Sequence, residues 1–194
     1  IGSGDGRHVE YLSKLGYKVL GTDVSNEALN LSKKRKYKTE VNFRKVNDSI
    51  INKNDFRGYG KFDLIICWDT LHWFSLKDNI SSSLQVISSS LKKEGFFIFN
   101  LVGENDYRLK DATNYNEFPN TYIVQNELEK GMQIYYEDLP NYIQMIKNSN
   151  LKIEYISWHT HGRIEKNVPE DPINIQKYKS NNTESWYVFG CSGL

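Results

Sequence analysis

The chain has 194 residues with 25 basic and 24 acidic side chains and a formal net charge of +1, which argues for one domain with its own core and against a global field that recruits nucleic acid or an anionic membrane. Its longest mainly apolar runs, such as residues 95–102, fall far short of the roughly 20 residues that span a bilayer, and no signal-peptide pattern opens the sequence as given. Cys67 and Cys191 lie in strand-like segments without metal-ligand spacing, a pattern expected of a reduced, cytoplasmic protein with no metal site.

Ile1 stands directly before a run of glycines, where a buried strand is needed to aim the turn at a ligand. Most of a first strand is therefore expected ahead of Ile1. Over residues 8–15, Val9, Leu12 and Leu15 follow helical spacing, and Gly16 supplies a C-terminal cap. Residues 18–23 read as a short strand. Ser25 can cap a second helix with Ala28 and Leu31 on its inner face, Leu29 beside them, and basic residues 33–36 near its end. A strand over 41–46 follows, then a short helix near 50–59. Residues 64–68 form the continuous apolar run that a doubly covered, central parallel strand needs. Leu76, Ile80, Leu84, Ile87 and Leu91 space out a helix, and Gly95 leads into a strand over 96–102.

This alternation predicts a doubly wound, Rossmann-like α/β sheet. Residues 103–132 are polar, aromatic and irregular, too long for an ordinary connection, and read as an inserted lid or substrate segment within one domain over 1–194. A helix over 137–148 and strands over 151–158 and 186–191 close the chain. Counting the strand ahead of Ile1, the sheet has seven mostly parallel strands, with an antiparallel last strand.

The first turn reads Gly2-Ser3-Gly4-Asp5-Gly6. Glycines belong at a tight strand-to-helix turn because side chains would block close approach of a ligand to the backbone. The dinucleotide fingerprint places its third glycine one residue later, so the spacing argues against a nucleotide-binding dehydrogenase or epimerase. Asp23 ends the next strand 19 residues after Gly4, where a carboxylate can accept hydrogen bonds from two ribose hydroxyls. Capping of the following helix, shared with Ser25, is the structural alternative.

The alternating glycines resemble motif I of class I S-adenosylmethionine-dependent methyltransferases, and the resemblance runs from Ile1 to about Val102. It implies that Gly2, Ser3, Gly4 and Gly6 pack beside the methionine and ribose of S-adenosylmethionine, with Val24 against the adenine. Asn47-Asp48-Ser49 matches the position where an acidic side chain, here Asp48, meets the adenine amino group and the next backbone amide, of Ser49, meets a ring nitrogen. The segment from Phe62 to Asp69 resembles the fourth strand, whose end, at Cys67 and Trp68, supplies backbone contacts to the methionine ammonium. The acidic residue that the family carries two positions before its first glycine falls ahead of Ile1.

Methyl transfer from a sulfonium is an in-line displacement, so the protein's task is to align an acceptor lone pair and exclude water. His72, in Asp69-Thr70-Leu71-His72-Trp73, stands at the edge that resembles the substrate side of small-molecule methyltransferases and is the candidate base or orienting group; packing beside Trp73 and Phe74 is the alternative. His159, His161 and Arg163 can converge on an anionic group if their segment stays extended, and lack the further ligand that a metal needs. Arg7 at the start of the first helix and Tyr136 before the last one complete the candidate substrate contacts. The expected partner is a small methyl acceptor reacting through O or N, possible forms including anionic and phosphorylated metabolites. Neither an Asn-Pro-Pro-Tyr type motif nor a Pro-Cys nucleophile is present, which disfavours an RNA methyltransferase; a noncatalytic cofactor-binding module is the other alternative. Oligomeric state leaves no mark in the sequence.

Overall fold

In a computed structural model describing residues 1–47, 50–160, 163–167 and 186–194, with the backbone alone for 159, 160 and 163–167, Gly6 turns the chain into α1 (Arg7–Lys14). Val9 is buried, but Leu15 is exposed, because α1 ends at Lys14 and Leu15 is already its C-cap. Gly16, at φ 96°, then reverses the chain into β1 (Val19–Asp23). The Ser25 hydroxyl accepts the Ala28 amide at 3.1 Å and starts α2 (Asn26–Ser32). The inner face of α2 carries Leu29 and Ser32, whereas Leu31 is exposed. β2 (Val41–Lys45) pairs with β1 in parallel, from Val19 opposite Val41 to Asp23 opposite Lys45.

The helix expected near 50–59 is a single 3-10 turn, Lys53–Phe56, closed by a capping box between Asn52 and Asp55. β3 (Phe62–Cys67) pairs in parallel with β4 (Leu91–Val102). Between them α3 (Lys77–Ser90) buries Ile80, Leu84 and Ile87 at helical spacing. These join Phe97, Phe99 and Phe189 in the main core, where the Phe99 and Phe189 rings stack at 5.2 Å. An Ala in place of Leu84 is expected to cost about 2–5 kcal/mol there.

After β4 comes a small antiparallel sheet: β5 (Thr113–Asn114), β6 (Thr121–Ile123) and β7 (Gln133–Tyr135). The segment expected to be irregular is thus folded, and its sheet runs past residue 132. Its own apolar cluster contains Val102, Val124 and Ile134, and the Thr121 hydroxyl donates to the Ser75 carbonyl. Asp138 then caps α4 (Leu139–Lys147) by accepting the Asn141 amide at 3.0 Å.

β8 (Leu151–Thr160), β9 (Arg163–Asn167) and β10 (Trp186–Gly193) complete the main sheet in the order β3-β4-β10-β8-β9. β10 is antiparallel to both β4 and β8. β9 has no counterpart in the sequence reading. The architecture is α/β and Rossmann-like, with one departure from expectation: β3 pairs only with β4 among the described strands, and β1 and β2 form a separate two-stranded sheet. An apolar cleft of about 250 Å³, lined by Leu12, Val19, Leu20, Phe62, Leu64 and Ile66 among others, lies between β1 and β3. Among the described residues no helix is long and apolar enough to cross a membrane.

Candidate functional site

Gly2, Gly4 and Gly6 have φ values of 61°, 52° and 85°, in the left-handed region that costs other residues about 1–2 kcal/mol each. Their surroundings differ. A Cβ on Gly2 would lie 2.1 Å from the Thr70 hydroxyl and one on Gly6 2.8 Å from the Ser32 hydroxyl, whereas one on Gly4 meets nothing within 4 Å. Ser32 donates to the Gly4 carbonyl at 2.7 Å, and Arg35 donates to the Asp5 carbonyl at 2.6 Å, the Asp5 carboxylate at 2.7 Å and Glu10 at 2.6 Å. The end of α2 and the turn after it therefore brace the loop from behind. The basic run at 33–36 was the only sequence sign of that role. Asp23 accepts the Gly4 amide at 2.7 Å through Oδ2 and the Ser25 amide at 2.9 Å through Oδ1; each carboxylate oxygen keeps further acceptor capacity.

Above the loop lies a cavity of about 720 Å³, within the range of small-molecule sites. Gly2, Gly4, Asp23 and Val24 line it together with Asp69, Thr70, Trp73, Met132 and Gln133, Thr70 standing against Gly2. Val24 leaves much of its apolar surface open. Ser3 instead lines the cleft between β1 and β3, its buried hydroxyl without a partner among the described residues, and Gly6 shapes the turn without lining either space. Asp48 and Ser49 lie outside the described residues, although Asn47 and Ile50 on either side line the larger cavity.

The Cys67 side chain is buried, and burial pushes its thiol up to about 11. The Trp68 carbonyl accepts the Thr70 hydroxyl at 2.9 Å, and neither Cys67 nor Trp68 lines the cavity. Arg7 is exposed and pairs with Asp5 at 3.1 Å, outside the lining. Tyr136 is half-buried against Tyr122, ring centroids 6.2 Å apart, and burial raises its hydroxyl to about 12; it too stands outside the lining. The backbone of His159 is opposite Ile164 and that of Arg163 opposite Thr160. The side chains of His159 and Arg163, and all of His161, lie outside the described residues.

His72 is fully buried behind the wall. Its Nε2 is 2.9 Å from Arg108 Nη1 and 3.2 Å from Asp69 Oδ1, and its buried Nδ1 has no partner among the described residues. Burial lowers its pKa more than the neighbouring carboxylates raise it, so the ring is neutral near pH 7. Asp69 reaches the cavity from a backbone with φ 52°, its amide held at 2.6 Å by the Asn100 side chain. Burial alone would raise its carboxyl, but the hydrogen bond from His72 and the charge that imidazole carries at low pH, together with the charge and hydrogen bond of Arg108, bring it down to about 2.

Arg108, 1% exposed, gives Nε and Nη2 to Asp106 at 2.8 and 2.9 Å and Nη1 to Asp69 at 2.9 Å. The Trp186 indole donates to Asp106 at 2.6 Å, and the Arg108 guanidinium lies 5.3 Å from the Trp73 ring centre. Asp69, Asp106 and Arg108 were not singled out from the sequence: Asp106 and Arg108 pair locally, two residues apart, in a segment without periodicity, and they meet Asp69 only in three dimensions. Glu137 makes a second buried anchor, accepting from Asn120 and Tyr135 at 2.8 Å, Asn141 at 3.1 Å and Lys77 at 3.2 Å.

Residues 1–97 match a family model described as a methyltransferase domain. No curated protein matches the chain in sequence. Among solved structures, the chain resembles a SAM-dependent methyltransferase from Methanosarcina mazei at TM-score 0.72 and 15% identity, over 100% of this chain and 90% of that one. An S-adenosylmethionine-dependent methyltransferase from Mesorhizobium loti aligns at TM-score 0.70 and 14% identity, over 98% and 88%. Magnesium protoporphyrin IX methyltransferase from Synechocystis, with bound SAM, aligns at TM-score 0.60 and 12% identity, over 100% and 67%. At such identities the likeness is one of fold.

Proposed function

For a chain that belongs to the methyltransferase-domain family, we propose S-adenosylmethionine-dependent methyl transfer to an O or N atom of a small metabolite. The observation that carries this is the joint placement of Gly4 and Asp23 on one cavity wall, with open space where a Gly4 side chain would stand. That space admits a ligand against backbone, and Asp23 retains acceptor capacity for two ribose hydroxyls. Val24 offers its apolar face to the adenine, the base that the family resemblance also assigns to Asp48 and Ser49. When bound, S-adenosylmethionine supplies an electrophilic methyl whose bond to sulfur breaks, its electron pair staying on sulfur, as the acceptor lone pair bonds to carbon.

The protein's contribution is alignment and exclusion of water. Trp73, Met132 and Gln133 bound the acceptor end, with the 103–132 insertion acting as its lid within a single domain. His72, closed off from the cavity, orients Asp69 and takes no proton from the acceptor. The sequence expectation of an anionic or phosphorylated acceptor at His159, His161 and Arg163 falls on side chains outside the described residues and forms no part of this reading. A cytoplasmic setting belongs to the same reading, on cysteine usage. So does a strand between β1 and β3: both facing edges lack a partner strand among the described residues, the cleft is apolar, and the Ile1 amine donates to the Ile66 carbonyl at 2.8 Å. With it, β2 and β1 would join β3, β4, β10 and β8 in seven strands, β9 adding an eighth at the edge.

Calorimetry with S-adenosylhomocysteine, followed by incubation with methyl-labelled cofactor and a metabolite pool, tests this function. Binding together with a labelled small molecule is expected; absence of cofactor binding would overturn it. Binding without turnover would instead favour a noncatalytic module, the second reading, to which the seclusion of His72 lends support.

A further inference from the structure

The acceptor end of the cavity carries a fixed negative charge. Arg108 faces two carboxylates, Asp106 and Asp69, and His72 beside them is neutral, so the cluster keeps one net negative charge. Asp106 is buried and fully engaged by Arg108 and Trp186. Asp69 is where the charge meets the cavity: its side chain is 45% exposed, its Oδ1 is taken by Arg108 and His72, and no hydrogen bond reaches its Oδ2 among the described residues. Asp55 and Asp23 also line the cavity, and no Lys, Arg or His is among its described lining.

An ionised carboxylate accepts hydrogen bonds and donates none. A donor brought to Oδ2 forms a charge-assisted bond, whereas a second anion brought there is repelled in a partly desolvated site. Arg108, His72 and the Asn100 bond to the Asp69 amide prevent the carboxylate from swinging away. We propose that Asp69 is the specificity-determining group of the acceptor end, selecting acceptors that present an amine or hydroxyl donor there over those that present a carboxylate or phosphate. This rests on the cofactor reading above. It deepens that reading by assigning the acceptor's chemistry to one oxygen atom. The ammonium of the cofactor's methionine is a competing occupant of the same oxygen, and the test separates the two.

The Asp69→Asn variant keeps a hydrogen-bond acceptor for Arg108 and removes only the charge. In the first arm, wild type and variant are titrated calorimetrically with S-adenosylhomocysteine and with 5′-methylthioadenosine, which lacks the amino-acid end. Affinities within about twofold of wild type are expected for both. If wild type binds neither, the cofactor reading fails; if the variant loses S-adenosylhomocysteine affinity alone, Asp69 serves the ammonium and the proposal is overturned. In the second arm, protein saturated with S-adenosylhomocysteine is offered benzylamine, benzyl alcohol, benzoate and phenyl phosphate, followed by ligand-observed NMR. The amine and alcohol should bind and the two anions should not, and the variant should weaken benzylamine about tenfold or more. Equal or tighter binding of either anion to wild type, binding of none of the four, or unchanged benzylamine binding in the variant would each overturn the assignment.

Discussion

The two ends of the cavity are built on opposite electrostatic plans. At the glycine-loop end, the ligand-facing groups are backbone and Asp23, and the brace behind them, Arg35 with Asp5 and Glu10, is open to solvent, the Arg35 side chain being 30% exposed. At the insertion end, Arg108 and Asp106 are almost wholly buried, at 1% and 0%. An exposed ion pair contributes about 0–1 kcal/mol, while breaking a buried one costs about 3–5 kcal/mol because a charge is left without its partner. The first end can therefore vary its brace at little cost to folding. The second end makes folding of the insertion conditional on one guanidinium.

Replacing that guanidinium should give the largest effect. Arg108→Met is expected to lower unfolding free energy by about 3–5 kcal/mol, against about 1 kcal/mol or less for Arg35→Met, as measured by urea denaturation. Equal losses would remove the distinction between the two ends. Next comes Asp23→Ala, which should weaken S-adenosylhomocysteine binding about a hundredfold, since two ribose hydroxyls lose a charged acceptor worth about 1.5–3 kcal/mol in hydrogen bonding. An unchanged calorimetric affinity would remove Asp23 from the site.

A smaller effect separates two glycines within one loop. Gly2→Ala drives a methyl into the Thr70 hydroxyl, so its stability loss should exceed the about 1–2 kcal/mol of left-handed strain. Gly4→Ala meets no protein atom and should lose only that strain, yet its methyl enters the cavity and should lower cofactor affinity more than Gly2→Ala does at equal folded fraction. Thermal melts and calorimetry on the pair decide it; the opposite ranking would place the ligand away from Gly4.

The same contrast explains what was legible in the sequence. Asp23 meets Gly4 across 19 residues and Ser25 across 2, and the roles of these three follow from turn geometry, strand ends and caps. Arg108 meets Asp69 across 39 residues, Trp186 meets Asp106 across 80, and Lys77 meets Glu137 across 60. No local period marks such partners. His72 was found because it follows a strand with a recognisable pattern, but its burial depends on the insertion folding over it. Leu15 and Leu31 were misplaced for a simpler reason: helices of eight and seven residues are too short for an apolar spacing to fix which face turns inward.

Acid should expose the insertion end before the pH range in which Asp69 itself protonates. His72 has a folded pKa below its ordinary 6.5, because burial disfavours the imidazolium. Below pH 6.5 the unfolded chain therefore binds a proton that the folded chain resists, and stability falls as pH drops through that window. Asp69 works lower down: its carboxyl is held at about 2 against an ordinary 3.8, so its contribution is complete above pH 3.8 and is lost as pH falls toward 2. Urea midpoints measured for wild type and His72→Gln at pH 7.5 and 5 should show the wild type losing more stability over that interval, and Asp69→Asn should flatten only the decline below pH 4. A His72→Gln profile parallel to wild type between pH 7.5 and 5 would mean that the imidazole takes up its proton inside the folded protein, with Asp69 as counter-ion. His72 would then carry charge beside the cavity, and the net negative charge assigned to the acceptor end would be cancelled at mildly acidic pH.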